Sequence, residues 1–231
     1  MLSISTHFDN LLGGGLSEGV ITMVYGAPGS GKSNFAMMAA VSASREGQVI
    51  YIDTEGGLSP QRIEQISGGK GEELLENFIV ARPTSFEEQV VAIKSLESRI
   101  LNKDVRLIVL DNLSILHSLL EERNYQDLER QLAGILRVAR IHHIPALVTN
   151  QCYEAQETKE LIPIGANAVR RWCKVMVELG MKENVRYAIL RKHHCMPVGK
   201  VLVYKISDKG IKAIKLTSLS EIGTKLIQEL H

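Results

Sequence analysis

Five apolar runs punctuate the first two-thirds of the chain: "GVITMVYG" at 19–26, "QVIYIDTEGG" at 48–57, "FIVA" at 78–81, "VRLIVLDN" at 105–112 and "IPALVTNQ" at 144–151. They are too short for helices and too continuously apolar for half-solvated strands, so they predict strands buried on both faces. Helical patterns lie between them. Gly31 through Ala43 carries Phe35, Met38 and Val41, with a spacing loosened by its many alanines. Ser85 and Glu88 have capping-box spacing ahead of the stripe Phe86, Val90, Ile93, Leu96 and Ile100. From Asn124 to His142 the three-and-four spacing of Leu128, Leu132, Ile135, Leu136 and Ala139 predicts a helix of about five turns. Alternating strands and helices imply an α/β domain with a mostly parallel central sheet and ligand chemistry at the strands' C-terminal ends.

The alternation stops after Gln151. "WCKVMVELG", "VRYAILRKHH" and "KVLVYKIS" read as strands with no helix-length segment between them, which predicts antiparallel C-terminal additions to the sheet. Ser218 and Glu221 then open a predicted helix from Leu219 to Leu230. With 231 residues, no repeat and no linker, residues 1–231 are expected to form one domain.

Composition narrows the class. The chain is 45% hydrophobic and 23% charged, no apolar run reaches membrane-span length, and "MLSISTHFDN" is not a signal sequence, so a cytoplasmic protein without membrane contact is expected. Three cysteines, Cys152, Cys173 and Cys195, argue against a disulfide framework. The net charge of +1 is unevenly spread: between Gly165 and Lys215 twelve Lys or Arg face three acids, Glu178, Glu183 and Asp208. That half could meet a polyanion.

"GAPGSGKS" follows the first strand and opens the first helix. It satisfies G-x-x-x-x-G-K-[ST] with Gly26, Gly31, Lys32 and Ser33, and predicts that Gly26, Ala27, Pro28, Gly29, Ser30, Gly31, Lys32, Ser33 and Asn34 hold nucleotide phosphates. Glycines allow backbone N–H groups to turn inward on phosphate oxygens, Lys32 reaches the terminal phosphates, and Ser33 is an expected Mg²⁺ ligand. Asp111, ending "LIVLD", is the expected second metal group. Glu55, ending "YIDTE", would reach the γ-phosphate if the second and fourth strands flank the first, and could orient the attacking water. Asp53 is the rival, but strand alternation points it away. Gln151 at the end of the fifth strand could bond to the γ-phosphate and report its loss.

"ISTHFDNLLGGGLSEGVITMVYGAPGSGKS", "YIDTEGGLSPQRI", "LIVLDN", "IPALVTNQ", "PIGANAV" and "GKVLVYKISDKGI" together resemble, in order, the ATPase core of RecA-like recombinases of the archaeal and eukaryotic branch, over about Ile4 to Ile214. Within it the chain is most similar to a short archaeal paralog of the strand-exchange recombinase. The resemblance implies a RecA-like P-loop NTPase that uses ATP and Mg²⁺, with Glu55 as the water-activating acid, Asp111 as the Walker B acid, Gln151 as a sensor leading into a DNA-facing loop, and Arg62 stacked on adenine. Arg62 by itself reads as an exposed helix charge. The family's N-terminal helical domain and polymerisation motif have no counterpart in these residues. "SLLEERNYQDLERQ" and "CYEAQETKELIPIGANAVRR", which match the two DNA loops, are short. An accessory role beside a RadA-like recombinase and a Holliday-junction-processing protein is therefore implied, rather than strand exchange.

Arg191, Lys192, His193 and His194 form a compact basic group, with Lys200 beyond and Arg170 and Arg171 from the second loop. They predict sequence-independent DNA binding through phosphates, with Tyr153 available for stacking. Paralogs in the family carry a Lys-His-Arg cluster here, and His194 stands at its Arg position. The same residues could instead approach ATP across a homo-oligomer interface. His193, His194 and Cys195 do not suggest a metal, because neighbours on a strand point in opposite directions. Competing classes are a nucleotide-gated scaffold with negligible hydrolysis, a clock-type phosphotransferase and a small nucleotide kinase; the last lacks an arginine-rich lid.

Overall fold

The computed structural model describes residues 1–182 and 185–218; the predicted helix over 219–230 lies outside them. In chain order the elements are α1 (Thr6–Leu12), β1 (Ile21–Gly26), α2 (Lys32–Ser44), β2 (Gln48–Asp53), α3 (Pro60–Ser67), α4 (Gly71–Leu75), β3 (Phe78–Ala81), α5 (Phe86–Lys94), α6 (Leu96–Ile100), β4 (Val105–Asp111), a 3-10 turn (His117–Leu119), α7 (Tyr125–Ile141), β5 (Ala146–Asn150), β6 (Cys152–Glu154), β7 (Leu161–Pro163), α8 (Ala166–Trp172), β8 (Val175–Lys182), β9 (Val185–Lys192), β10 (Lys200–Ser207) and β11 (Gly210–Ser218).

One sheet runs in the order β11-β10-β9-β8-β1-β5-β4-β2-β3, and β6 pairs with β7 in a separate hairpin. The five strands predicted before Gln151 are all parallel. Two expectations are corrected. β1 is flanked by β5 and β8, not by β2 and β4. The reason lies in α2, which crosses from β1 to β2 and covers β1, β5, β4 and β2 on the way. Such a wide crossing buries α2 on nearly every side, from Phe35 through Ala43, which accounts for its alanines and its weak amphipathicity.

The second correction concerns β8. It is parallel to β1, with Tyr25 opposite Glu178 and Gly26 opposite Leu179, and only β9, β10 and β11 add antiparallel. A parallel neighbour needs a crossover. The β6–β7 hairpin and α8 supply it, in the segment where no helix was expected. Gly165, at φ 68°, starts α8 from the left-handed region and is the local signal for it.

Two apolar layers enclose the sheet. Side chains alternate between them, so Tyr51 packs in the layer with α1, α2 and α3, while Ile50 and Ile52 pack in the layer with α5, α7 and α8. Leu128, Leu132, Ile135, Leu136 and Ala139 of α7 are all buried, as their spacing predicts. The stripe from Phe86 to Ile100 is interrupted at Ser95, which ends α5 and begins α6. Phe35 is in the core and Trp172 is partly buried against it.

Candidate functional site

The turn between β1 and α2 curls at the C-terminal edge of the sheet. Gly31 has φ 105°, a backbone state that disfavours side chains, and a Cβ on Gly26 would lie 2.1 Å from the Leu179 carbonyl of β8. Lys32 is buried, and its Nζ donates to the Gly26 carbonyl at 2.9 Å and to the Ala27 carbonyl at 3.1 Å. Burial lowers the Lys32 pKa, and the charges of Glu55 and Asp111 pull it back up. Two residues that the sequence reading missed brace the turn from the C-terminal strands. The buried Tyr204 hydroxyl of β10 donates to the Ser30 carbonyl, and Arg186 Nε of β9 donates to the Gly29 carbonyl at 3.3 Å.

Two strand ends, β2 and β4, deliver the acids. Asp111 is buried; it accepts from Thr149 at 2.5 Å and from the Tyr51 hydroxyl at 3.0 Å. Burial raises its pKa, and the Thr149, Ser33 and Tyr51 hydroxyls oppose the rise. Thr54 staples β2 to β4: its N–H donates to the Asp111 carbonyl at 2.8 Å, its hydroxyl donates to the Asn112 carbonyl at 2.8 Å and accepts from Asn112 N–H at 2.6 Å. Asn112 Nδ2 in turn holds Glu55 Oε1 at 3.0 Å. The Glu55 pKa is raised, first by desolvation and then by Asp111, while Lys32 and Asn112 lower it. Asp53 faces elsewhere, accepting from Gly57 and Leu58 N–H at 3.0 and 3.1 Å as a turn holder.

These groups meet although β5 separates β1 from β4. Pro28, Gly29, Gly31, Lys32, Ser33, Asn34, Glu55 and Gln151 line one open cleft of 670 Å³. Arg62 stands at its flank and is not a free surface charge. Its guanidinium donates to Asn34 Oδ1 at 2.8 Å, Gln65 Oε1 at 2.8 Å, the Asp208 carbonyl at 3.1 Å and the Ser207 carbonyl at 2.7 Å. All four bonds use its edge, so its plane is fixed.

Gln151 leads directly into the β6–β7 hairpin. Ile164 N–H donates to the Gln151 carbonyl at 3.0 Å, and Asn150 Nδ2 donates to the Ile164 carbonyl at 2.8 Å. Tyr153 is exposed on that hairpin.

The basic residues are close together but differently engaged. Arg191 Nε contacts the buried Glu178 carboxylate at 2.7 Å, so its charge is largely neutralised. Arg171 pairs with Glu129 at 3.1 Å. His193 Nε2 lies 3.0 Å from the Leu12 carbonyl, and Lys200 Nζ donates to the Asn10 carbonyl at 3.4 Å. Lys192 donates to the Arg170 carbonyl, Arg170 and His194 are exposed, and Arg170, Arg191 and Lys192 line a second cavity of 480 Å³ with Glu178 and the hairpin. A carboxylate in the apolar run "VMVELG" was the signal that one of the cations is spoken for.

The strand order, the glycine turn after β1 and the antiparallel C-terminal strands define a RecA-like P-loop NTPase core. Residues 1–214 match the Rad51 family, and the chain belongs to it. It is 38% identical over 217 residues to the DNA repair and recombination protein RadB of Methanothermobacter thermautotrophicus, covering 89% of this chain and 93% of that protein. It is 34% identical over 223 residues to the RadB of Thermococcus kodakarensis, covering 93% of this chain and 100% of the relative. A crystal structure of the RadB recombinase superposes with a TM-score of 0.81 at 33% identity, over 93% of this chain and 100% of that one. No helix among the described residues is long and apolar enough to cross a membrane.

Proposed function

We propose that this chain is a DNA repair and recombination protein of the RadB type that binds Mg-ATP, hydrolyses it slowly, holds DNA without sequence preference and modulates a recombinase or junction-processing partner. One observation carries the reading: Lys32, Ser33, Glu55 and Gln151 line a single cleft, and the charge of Asp111 acts on both Lys32 and Glu55. The Ser33 hydroxyl and Asp111 carboxylate are hard oxygen donors suited to Mg²⁺, which would polarise the transferring phosphoryl group. Lys32 supplies positive charge to the β- and γ-phosphates. Glu55, held by Asn112 and kept more basic than an ordinary glutamate, takes the proton of the attacking water. Arg62 offers a fixed planar cation for adenine.

Slow turnover follows from the charge inventory. Among the described residues lining the cleft, Lys32 is the sole Lys or Arg. Phosphoryl transfer without an arginine at the γ-phosphate loses about 10³–10⁵ in rate. A basic residue supplied by a second copy or a partner would restore it. The same scarcity favours a second reading, a nucleotide-gated scaffold with negligible hydrolysis.

DNA contact is assigned first to Arg170, Lys192 and Lys200, beside the hairpin that starts at Gln151; Arg171, Arg191, His193 and His194 chiefly hold that face together. ATP and fluorescent-DNA titrations, each with and without the other ligand and at two salt concentrations, test the proposal. ATP binding with salt-sensitive DNA binding supports it, and absence of both at low salt rejects it. Partner recovery unchanged by Glu55→Ala, with no measurable turnover in the wild type, selects the scaffold.

A further inference from the structure

We propose that His193, His194 and Cys195 form a single-ion Zn²⁺ site on the β9–β10 connection, anchored through His193 to the end of α1. On a continuing strand these neighbours would diverge, but β9 ends at Lys192. Beyond it the chain turns, the two imidazoles stack with centroids 4.6 Å apart and planes 16° from parallel, and the ligand atoms of all three residues lie within 4.8 Å of one another.

The tautomer of His193 is fixed by its surroundings. Nε2 is 3.0 Å from the Leu12 carbonyl, which can only accept, so Nε2 carries the hydrogen and Nδ1 keeps its lone pair. Nδ1 accepts from the Cys195 N–H at 3.2 Å and lies 3.6 Å from its Sγ, so an ion would take the place of that N–H. Zinc bonds of about 2.0–2.1 Å to nitrogen and about 2.3 Å to sulfur, at a tetrahedral angle, separate the two ligand atoms by about 3.6 Å. This pair is therefore already spaced to share one ion. A metal-bound histidine characteristically donates its other N–H to a backbone carbonyl, which is the role Leu12 fills.

His194 and Cys195 are exposed; the His194 ring must leave its stack on His193 to aim its in-plane lone pair at the ion, and the widest pair of ligand atoms must close by roughly 1 Å. Binding breaks the Cys195 S–H bond, releases that proton to solvent and forms a zinc–thiolate bond; both imidazoles bind neutral, and water takes the fourth position. Two nitrogens and a sulfur select Zn²⁺ over the oxygen-seeking Mg²⁺. The ion and its thiolate leave one net positive charge beside Lys192 and Lys200. The site stands independently of the nucleotide and DNA reading.

The test is a titration of metal-free intact chain with Co²⁺ alone, read by the near-ultraviolet thiolate-to-cobalt charge-transfer band, followed by Zn²⁺. The expected result is saturation at one equivalent and loss of the band when Zn²⁺ displaces cobalt. Cys195→Ser abolishes the band, His194→Ala weakens Co²⁺ binding at least about tenfold, and Cys152→Ser leaves the band in place. The oxygen donors near Ser33 cannot produce such a band. Unfolding is controlled by matching the far-ultraviolet spectra of the variants to the wild type. No band at one equivalent, or a band that survives Cys195→Ser in folded protein, overturns the site.

Discussion

Arg191 of β9 holds the buried Glu178 of β8 at 2.7 Å, with the Tyr25 hydroxyl 3.3 Å from the same carboxylate oxygen. Glu178 has 4% of its side chain exposed and Arg191 34%, so removing the arginine strands a charge in the sheet. Arg191→Ala should cost about 2–4 kcal/mol in urea unfolding. Replacing both partners, Glu178→Met with Arg191→Leu, should recover most of that loss. If Arg191→Ala weakens DNA binding at unchanged stability, the pair is a surface feature and the assignment fails.

Lys32→Ala should abolish the rise in melting temperature that Mg-ATP gives the wild type, because ligand stabilisation scales with bound affinity. Turnover should fall by at least about 10²-fold. Melting in the absence of nucleotide should be little changed, since the lysine is itself desolvated in the fold.

Glu55→Gln should keep ATP binding and lose about 10²–10⁴ in turnover. The raised Glu55 pKa places the acid limb of the wild-type rate profile above the ordinary glutamate range. The stability effect has the opposite sense to that of a salt-bridged acid. A carboxyl whose folded pKa is raised binds its proton more tightly folded than unfolded; its ionisation therefore costs stability, beginning near the unfolded pKa and complete above the folded one. Without nucleotide at neutral pH, Glu55→Gln should melt at or slightly above the wild type. Calorimetry alongside rate–pH profiles checks both parts.

Tyr204→Phe removes the donor to the Ser30 carbonyl while leaving that carbonyl covered. We expect a loss of about 1–3 kcal/mol in stability and a several-fold rise in KM for ATP, with kcat less affected. An unchanged KM would show that β10 does not shape the turn after β1 for nucleotide.

For DNA, Lys192→Ala and Arg170→Ala should each weaken binding uniformly across sequences and reduce the slope of log Kobs against log salt by about 1. Fluorescence anisotropy on two unrelated oligonucleotides at several salt concentrations measures this. A change confined to one sequence would contradict phosphate-only contact.

The pattern of the chain carried the parallel core well, because a strand buried on both faces and a one-sided helix such as α7 are each signed by their periodicity. It also exposed the turn after β1, where backbone geometry demands glycine. What it concealed depends on contacts between distant residues. Nothing in "VYKIS" shows that Tyr204 reaches Ser30, and nothing in "DTEGG" shows that Thr54 ties β2 to Asn112. The hairpin and α8 were overlooked because three-residue strands and a two-turn helix repeat their period too few times to stand out, and missing them turned β8 the wrong way round. Arg62 looked like a surface charge until the Ser207–Asp208 carbonyls arrived from the far end of the chain.

β8 has a further consequence. Its Leu179 carbonyl abuts Gly26, and its preceding residue, Glu178, grips Arg191. Two successive residues of one strand thus border the glycine turn and the cationic flank, so a side chain introduced at Gly26 would press on the same strand that seats Arg191.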